Sequence, residues 1–523
     1  MGCVRPAHMR PLLSITGMAA GAPPSTRCQP VAKPSPPQIA CGATLSICRR
    51  SGPAVPAAAV EGRSAAPRGG GTGGDEALMA WAATSDVQAP ALRVADFAGL
   101  RGMAARTDIA PDDTVVSLPK GRALLVVPRQ SCGCPELVDP SFWSSAPWFL
   151  KMSLLLLAET RKGAQSRLAG YVQSLPEGFD TPFHWEPADL AQLQYQPLVR
   201  LVEQQQQEWA DAYQRLKEAT PSSPLSYTEL VWGMECVRSR CFSGPYTGGS
   251  IRQRIVLGAT IIGLAAFAVA SQHVLIEDAL NGLIAAFGFN ILYDFFLSQK
   301  LKWYAVCPVI DHMNHKSTVE SDVSWEYFSD RFVVTATQGW KAGEQVYINY
   351  GKQSNDSLLQ YYGFVEEENP NDTFVVDDMG RFLLEAAGGE VQARGRRWQD
   401  ANLSEQLAKV TLSRKGVPAA ALVAARLLVM TDADAQRGLE SANAELEAAK
   451  EAQALGLVAG ALKAVEASMG SSLAQDQKAL KGELSALKMD ERLRLALQFR
   501  VEKKQLLQQV GARLVAQQKA KAG

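Results

Sequence analysis

The sequence lacks the features that mark several large functional classes. Its 53 basic and 53 acidic side chains cancel, so no net positive charge favours a DNA-binding role. No G-x-G-x-x-G loop follows a predicted strand, and neither a P-loop nor a G-x-S-x-G motif occurs. Nucleotide-binding and serine-hydrolase folds therefore have no support. The nine cysteines form no C-x-x-C pair, which is typical of a protein from a reducing compartment without a structural metal.

The N-terminal segment is poor in acidic side chains. The first of them is Glu61, whereas arginine and lysine are spread through the preceding segment, which is rich in serine, alanine and proline. This composition is typical of a transit peptide that directs a protein to a plastid or a mitochondrion. The glycine-rich run at 69–74 predicts a flexible linker. We therefore expect residues 1–74 to be a transit peptide and linker, outside the fold.

A long uncharged segment divides the middle of the chain. Residues 255–276 contain no charged side chain, and a second apolar run follows at 279–293. The first run is long enough to span a bilayer, and its basic outer flanks suit a hairpin that returns to the same side. The segment 255–297 therefore has two interpretations: a hairpin that contacts a membrane, or a pair of apolar helices that cover the core.

The stretch 303–374 carries three short motifs. They are Asp311-x-x-Asn314-His315, then Gly343-Glu344 followed by Tyr350, and finally Tyr362-Gly363-Phe364. Between the first two, the runs 323–327 and 332–337 flank a Ser-Asp turn and predict a β-hairpin. Residues 346–350 alternate as a half-buried strand does. Tyr350 is therefore expected at a strand end, where its hydroxyl can face a cleft.

This order of motifs resembles the C-terminal half of SET-domain protein methyltransferases, and most closely the Rubisco large-subunit methyltransferase-like family. The resemblance implies an α+β fold with a split SET domain over 90–364, short strands and a threaded C-terminal motif. It also implies a helical insertion at about 141–231 and an all-α substrate-binding domain over 380–515. The apolar insertion at about 243–303 departs from the family pattern.

The apolar periodicity agrees with helices in both of these regions. A leucine-rich helix is predicted from about 148 to 159, and Ser226 to Glu229 form a capping box that opens another. Helical patterns continue after 380, including one over 403–412. In the last helix, over about 490–516, the charged run Glu502-Lys503-Lys504 is expected to face solvent, and the tail from Gln517 is expected to fray.

The resemblance also implies which residues form the site. Tyr350 and Tyr362 are implied to be catalytic, with Tyr350 near the donor methyl and Tyr362 in the channel for the target lysine. The residues implied to bind the methyl donor are Arg101, Met103, Arg240, Asn314, His315 and Tyr350. Asp311 is implied to accept hydrogen bonds nearby, and Trp325 to replace a further channel tyrosine of the family. Gly102 is expected to let the backbone approach the donor because glycine has no Cβ.

The chemistry of methyl transfer fits these residue types. Transfer from a sulfonium needs orientation, exclusion of water and a deprotonated acceptor, but no metal ion. Tyrosine rings attract a cation, while their hydroxyls give and accept hydrogen bonds without a full charge. We therefore interpret the chain as a protein-lysine N-methyltransferase that uses S-adenosyl-L-methionine and acts on a plastid protein. The resemblance favours the chloroplast stroma, with Rubisco large subunit or fructose-bisphosphate aldolase as candidate partners and no nucleic-acid partner.

Two alternatives remain open at this point. Asp311, His312 and His315 could bind iron or zinc, but the sequence offers few further ligands to complete such a site, so no metal is expected. The second alternative is a SET fold without catalysis, which would serve as a scaffold or as a membrane-associated interaction protein. Binding of S-adenosylmethionine distinguishes the enzyme from the scaffold.

Overall fold

The computed structural model describes most of the chain beyond the N-terminal segment. The described residues are 72–245, 251–272, 274–296, 302–321, 323–326, 329–389, 393–400, 402–435, 442–484 and 490–522. The predicted transit peptide and the linker up to residue 71 lie outside them. The prediction that the linker extends to Gly74 is wrong, because a helix already begins at Thr72. Asp75 in its first turn complements the helix dipole.

Short strands and helices alternate in the first half of the described chain. The helices are α1 (Thr72–Thr84), α2 (Pro140–Ser145), α3 (Trp148–Arg161), α4 (Ala169–Gln173), α5 (Pro187–Ala191), α6 (Gln196–Ala219), α7 (Tyr227–Arg240), α8 (Ile251–Ala270) and α9 (Ile276–Phe296). The strands up to residue 348 are β1 (Leu92–Phe97), β2 (Leu100–Ala105), β3 (Thr114–Pro119), β4 (Leu124–Val126), β5 (Cys241–Pro245), β6 (Lys302–Val306), β7 (Asn314–His315), β8 (Val323–Glu326), β9 (Arg331–Thr335) and β10 (Tyr347–Ile348). The predicted strand at 92–97 and the predicted hairpin after 323 are confirmed.

The strands form several small sheets. In the described part of the chain these have the orders β1-β2, β3-β9-β8, β4-β6-β5 and β7-β10. The last is a short parallel ladder that pairs Asn314 with Tyr347 and His315 with Ile348. It brings the first and second sequence motifs side by side, with Tyr350 just beyond it.

The last turn of helix α7 contains Arg240, one of the residues predicted to bind the methyl donor. The predicted capping box at its start is confirmed, because the Ser226 side chain accepts from the Glu229 amide and the Glu229 carboxylate accepts from the Ser226 amide. The helix ends at Arg240, and the next residue begins β5, which pairs with β6 from Cys241↔Val306 to Pro245↔Lys302. The Arg238–Arg240 turn is therefore fixed between a capped helix and a paired strand.

The apolar insertion forms a helical hairpin with an exposed surface. Large apolar side chains of α8 and α9 face solvent, with Phe267 71% and Ile284 68% exposed. The interpretation that this pair covers the core is therefore wrong for the side chains that the structure describes. Within the described residues, no helix is both long and apolar enough to cross a membrane.

Removing this hairpin is expected to leave the fold intact. Its two ends meet where Pro245 pairs with Lys302, so residues 246–301 can be replaced by a two-residue Asn-Gly turn. Because the described apolar side chains of the hairpin are exposed, we expect the thermal midpoint to change by less than about 3 °C, or about 1 kcal/mol. Calorimetric unfolding of both proteins measures this, and a much larger fall would show that the hairpin packs on the domain.

The C-terminal part is mainly helical. The helices are α10 (Asn355–Tyr362), α11 (Met379–Ala387), α12 (Arg397–Asp400), α13 (Ser404–Ala408), α14 (Ala419–Val429), α15 (Asp432–Ala435), α16 (Ala448–Ala467), α17 (Leu473–Leu484) and α18 (Glu491–Ala522), and the strands are β11 (Thr373–Asp377) and β12 (Lys409–Ser413). The predicted helix over 403–412 is wrong, because it ends at Ala408 and β12 pairs with β11. Packing on Phe374 and Val376 overrides local propensity there.

Helix α18 is longer and more deeply buried than the sequence predicts. It continues to Ala522, so the predicted fraying from Gln517 is wrong. The prediction that Glu502, Lys503 and Lys504 face solvent is also wrong, since they are only 4%, 0% and 0% exposed. Partners from distant segments, among them Asp356 for Lys503 and Asp476 for Lys504, make this burial tolerable.

Candidate active site

A cavity of about 670 Å³ lies beside the end of α7. Of the predicted site residues, it is lined by Arg240, Tyr350 and Tyr362, and Asp311 also reaches it. Arg101, Met103, Asn314 and His315 do not line it. The structure therefore separates the predicted residues into a group at the cavity wall and a group behind it.

Three aromatic rings stack into a column at this wall. The rings of His315 and Tyr350 have centroids 5.0 Å apart, and those of Tyr350 and Tyr362 are 5.1 Å apart, with interplanar angles of 25° and 27°. The Tyr350 hydroxyl donates to the carbonyl of Met313 at 2.7 Å, and the Tyr350 amide donates to Nδ1 of His315 at 3.0 Å. Both ends of Tyr350 are thus fixed to the first motif.

Burial keeps these tyrosines protonated. It raises the pKa of Tyr350 well above its ordinary value, with a further contribution from Tyr362. It raises the pKa of Tyr362 to about 12, although the positive charge of Arg238 opposes this. Neutral hydroxyls at physiological pH can both donate and accept hydrogen bonds.

Arg240 is anchored by a buried acidic group. Its Nη1 donates to the Asp311 carbonyl at 3.1 Å and lies 3.5 Å from the Asp311 carboxylate. Burial opposes the charged form of Arg240, but Asp311 together with Tyr171, Cys236 and Tyr350 outweighs it, so the pKa of Arg240 is raised. Burial would likewise raise the pKa of Asp311, but contacts with His312, Arg240 and Tyr171 lower it. The pair therefore stays ionised, and the Nε of Arg240 is buried without a hydrogen-bond partner in the described part of the chain.

Asn314 and Gly102 join the two sides of the site behind the cavity. The Asn314 amide Nδ2 donates to the Arg101 carbonyl at 3.0 Å. A Cβ at Gly102 would lie 2.5 Å from Nε2 of Gln345 and 2.6 Å from Nδ2 of Asn314. The glycine is therefore needed for the approach of these two amides.

Arg101 and Met103, which are expected to bind the methyl donor, contact other parts of the chain and do not line the cavity. The Arg101 guanidinium forms an ion pair with Asp75 of α1 and donates to the Ser174 carbonyl at 2.6 Å. Met103 is fully buried in the core, and its carbonyl accepts from the Val346 amide at 2.8 Å. The Met103 side chain thus supports β2 from within the core.

Sequence reasoning missed several residues of the site. Tyr171 donates to Asp311 at 2.7 Å, Tyr304 and Tyr361 line the cavity, and no local motif marks any of them. The expectation that Trp325 is a channel residue is wrong: it does not line the cavity and its indole donates to Asp330 at 3.1 Å. Val323, which precedes Trp325 by two residues on β8, lines the cavity.

The alternative hypothesis of a metal site depends on His312 and His315, and each of these imidazoles lies next to an acidic group. His312 Nδ1 lies 2.9 Å from Asp311, whereas His315 lies 3.5 Å from Glu366. Among the described residues, no group of three or more histidine, cysteine or acidic side chains has an arrangement that could hold a metal ion.

Comparison with solved structures shows which fold this chain has. Over 86% of this chain, the fold matches a Rubisco LSMT structure bound to AdoMet (TM-score 0.54, 19% identity, 93% of that chain). It matches equally the SET domain of LSMT bound to lysine and AdoHcy (TM-score 0.55, 19% identity, 86% of this chain and 92% of that chain). The chain therefore has the split SET fold with a helical C-terminal region.

Comparison of the sequence with protein families and with individual relatives also finds SET-type methyltransferases. Residues 390–507 match the family described as Rubisco LSMT substrate-binding. The ribosomal lysine N-methyltransferase set10 of Schizosaccharomyces pombe is 26% identical over 51% of this chain and 40% of its own length. The actin-histidine N-methyltransferase of Danio rerio is 22% identical over 56% of this chain and 43% of its own length. The resemblance to Rubisco LSMT-like SET methyltransferases is confirmed, and the chain spans about two fifths of these two relatives' length.

Proposed function

We propose that this protein is a protein-lysine N-methyltransferase that uses S-adenosyl-L-methionine. Relatives named above as lysine and histidine N-methyltransferases support the reaction class. We favour lysine because set10 of Schizosaccharomyces pombe, the more similar of the two at 26% against 22% identity, is a lysine methyltransferase.

The observation that carries the proposal is a set of buried donors that lack partners. The Nε atoms of Arg101 and Arg240 and the Nε2 of Gln345 are buried with no hydrogen-bond partner among the described residues. A buried unpaired donor is costly, and native proteins rarely leave one without a reason. A ligand with a carboxylate and further acceptors satisfies such donors, and S-adenosylmethionine has both. The residues present therefore fit this ligand, with the Arg240 guanidinium suited to the carboxylate.

When bound, S-adenosylmethionine supplies a methyl group activated by its sulfonium. The chain's own residues would orient the methyl donor and the acceptor amine and would keep water away from them. The stacked rings of Tyr350 and Tyr362 form an apolar wall that attracts a cation and excludes water. The Tyr350 hydroxyl, whose proton is donated to Met313, keeps its oxygen lone pairs for an incoming amine N–H or methyl C–H. Asn314 and Gly102 fix the backbone around the donor.

We propose the chloroplast stroma as the location and a stromal protein as the substrate. The composition of residues 1–74 supports import into an organelle. Rubisco large subunit is the first candidate, because the matched substrate-binding family takes its name from a Rubisco methyltransferase. Fructose-bisphosphate aldolase is the second, on the family resemblance alone. Incubating the purified protein with methyl-labelled S-adenosylmethionine and each candidate tests the proposal. Label in lysine is expected; no label in these or other stromal proteins would overturn it.

The exposed hairpin supports a second role, attachment to a surface. We propose that the apolar side chains of α8 and α9 contact a lipid surface without crossing it, since they are exposed in the structure and such burial is favourable. Flotation with anionic vesicles should carry the full chain and leave the variant lacking 246–301 behind. Equal flotation of both proteins would exclude this role.

Gly102→Ala should weaken donor binding. The new methyl group would displace the Asn314 and Gln345 amides, so we expect the Kd for S-adenosylmethionine to rise about tenfold, or about 1.4 kcal/mol. Gly121→Ala is the matched control, because a Cβ added at Gly121 would meet no atom within 4 Å. Calorimetric titration of both variants with S-adenosylmethionine measures the two Kd values. An unchanged Kd for Gly102→Ala would mean that the Asn314 and Gln345 amides do not shape the donor site.

A further inference from the structure

Arg238 is partly buried at the cavity wall, yet it has no acidic partner among the described residues. It lines the cavity together with Arg240, Lys352, Asp311 and Glu320. Arg240 is paired with Asp311, and Lys352 and Glu320 have exposed side chains. Within the described residues, Arg238 forms neither an ion pair nor a hydrogen bond. Its position in the last turn of α7 suits the helix dipole, but that does not explain why it faces the cavity.

Aromatic rings hold the Arg238 guanidinium in place. Its central carbon lies 3.9 Å from the ring centroid of Tyr361 and 5.7 Å from those of Trp148 and Phe149. The Trp148 ring in turn stacks on Tyr304 at 4.2 Å with an angle of 2° between the planes. Trp148, Tyr304 and Tyr361 all line the cavity. An arginine stacked in this way keeps its N–H groups pointing outward along the ring plane and loses little rotamer entropy on binding.

The Arg238 charge acts at the catalytic end of the cavity. It opposes the burial that raises the pKa of Tyr362, so the two side chains are within electrostatic reach. A planar guanidinium with free donors is matched best by a carboxylate, which it can bind through two parallel hydrogen bonds. A lysine that approaches Tyr350 and Tyr362 from the cavity would bring its neighbouring residues past Arg238, because all three side chains line that cavity.

We propose that Arg238, on its platform of Tyr361, Trp148 and Phe149, is a specificity-determining residue that binds an aspartate or glutamate close to the target lysine of the substrate protein. This inference rests on the proposed function. It narrows the substrates to protein segments in which an acidic side chain lies within a few residues of the methylated lysine.

Paired peptides test this inference by binding, separately from turnover. Each labelled nine-residue peptide has a central lysine and carries either glutamate or glutamine at one flanking position. Fluorescence anisotropy is measured with the full chain saturated with S-adenosylhomocysteine. At one or more positions we expect the glutamate peptide to bind about tenfold more tightly than its glutamine partner, or about 1.4 kcal/mol.

Variants assign the effect to Arg238. R238M should reduce the ratio to about one, and R238E should favour a lysine at the same flanking position. Y361L, which keeps the charge but removes the nearest ring, should reduce the preference about threefold and serves if R238M does not fold. R381M is the matched control: Arg381 also stacks on a ring, Phe382 at 4.0 Å, but lies outside the cavity, so its ratio should stay at about ten.

Each result has a definite consequence. No preference in the unmodified protein, no measurable peptide binding, or a preference that persists in folded R238M would overturn the inference. Methyl transfer without a glutamate preference would overturn this inference alone. A preference that depends on Arg238 in a protein that transfers no methyl group would overturn the proposed function alone.

Discussion

Replacing Tyr350 with phenylalanine is expected to lower kcat for methyl transfer about 100-fold, or about 2.7 kcal/mol. The substitution removes the hydroxyl that donates to the Met313 carbonyl and with it the oxygen that we propose to face the reacting groups. The ring, which stacks between His315 and Tyr362, remains. We therefore expect the thermal midpoint and the affinity for S-adenosylmethionine to change little. Steady-state kinetics with labelled donor measures the effect.

Tyr347→Phe is the control for this prediction. Tyr347 lies in β10, three residues before Tyr350, but its hydroxyl donates to Gln345 and it does not line the cavity. Its loss should alter kcat by less than about threefold, because it makes no contact that changes in the transition state. Full activity in Y350F, or an equal loss in Y347F, would show that Tyr350 is not the central tyrosine of the site.

Replacing Lys503 with methionine is expected to lower the free energy of unfolding by about 3–5 kcal/mol. The ammonium group is fully buried between Asp356 and Asp372 and also donates to the Thr373 carbonyl at 2.6 Å. Burial opposes its charge, but the two carboxylates outweigh this and raise the pKa of Lys503. Without the lysine, two buried carboxyl groups lose their counter-charge. Chemical denaturation measures the difference.

The same substitution should also affect the site. Asp356 lies in α10, which ends at Tyr362, so Lys503 ties the C-terminal helix to the helix that carries a predicted catalytic residue. Lys341→Met is the control, since Lys341 pairs with Asp108 at the surface, where both side chains are more than half exposed. Such a pair contributes about 1 kcal/mol or less. A loss of stability in K503M no larger than that in K341M would contradict the role of this buried network.

Local signals were sufficient for part of this fold. The alternating residues of β1, the turn between β8 and β9, and the capping box of α7 each act within a few residues, and each appears in the structure as predicted. Tyr350 also lies close to a strand end, two residues beyond β10, and lines the cavity.

The remaining features depend on contacts between distant segments. Tyr171 reaches Asp311 across 140 residues, and Lys503 reaches Asp356 across 147; neither partner can be read from a local pattern. A Glu-Lys-Lys run is normally a solvated surface, and only the facing carboxylates reveal that this one is buried. Likewise β12 is a strand because β11 offers it a partner, and Trp325 packs against Trp303 and Phe332, which lie in other strands.

Calorimetric titration of the full chain with S-adenosylmethionine tests the central claim most directly. We predict one site with micromolar Kd, about −8 kcal/mol. Both Asn314→Ala and Arg240→Met should lower the affinity at least about tenfold. In the proposed site Asn314 fixes the backbone, and Arg240 donates hydrogen bonds to the carboxylate of S-adenosylmethionine. Folded protein that binds no S-adenosylmethionine, or variants that bind it as tightly as the unmodified chain, would contradict the methyltransferase assignment and favour a SET fold that serves as a scaffold.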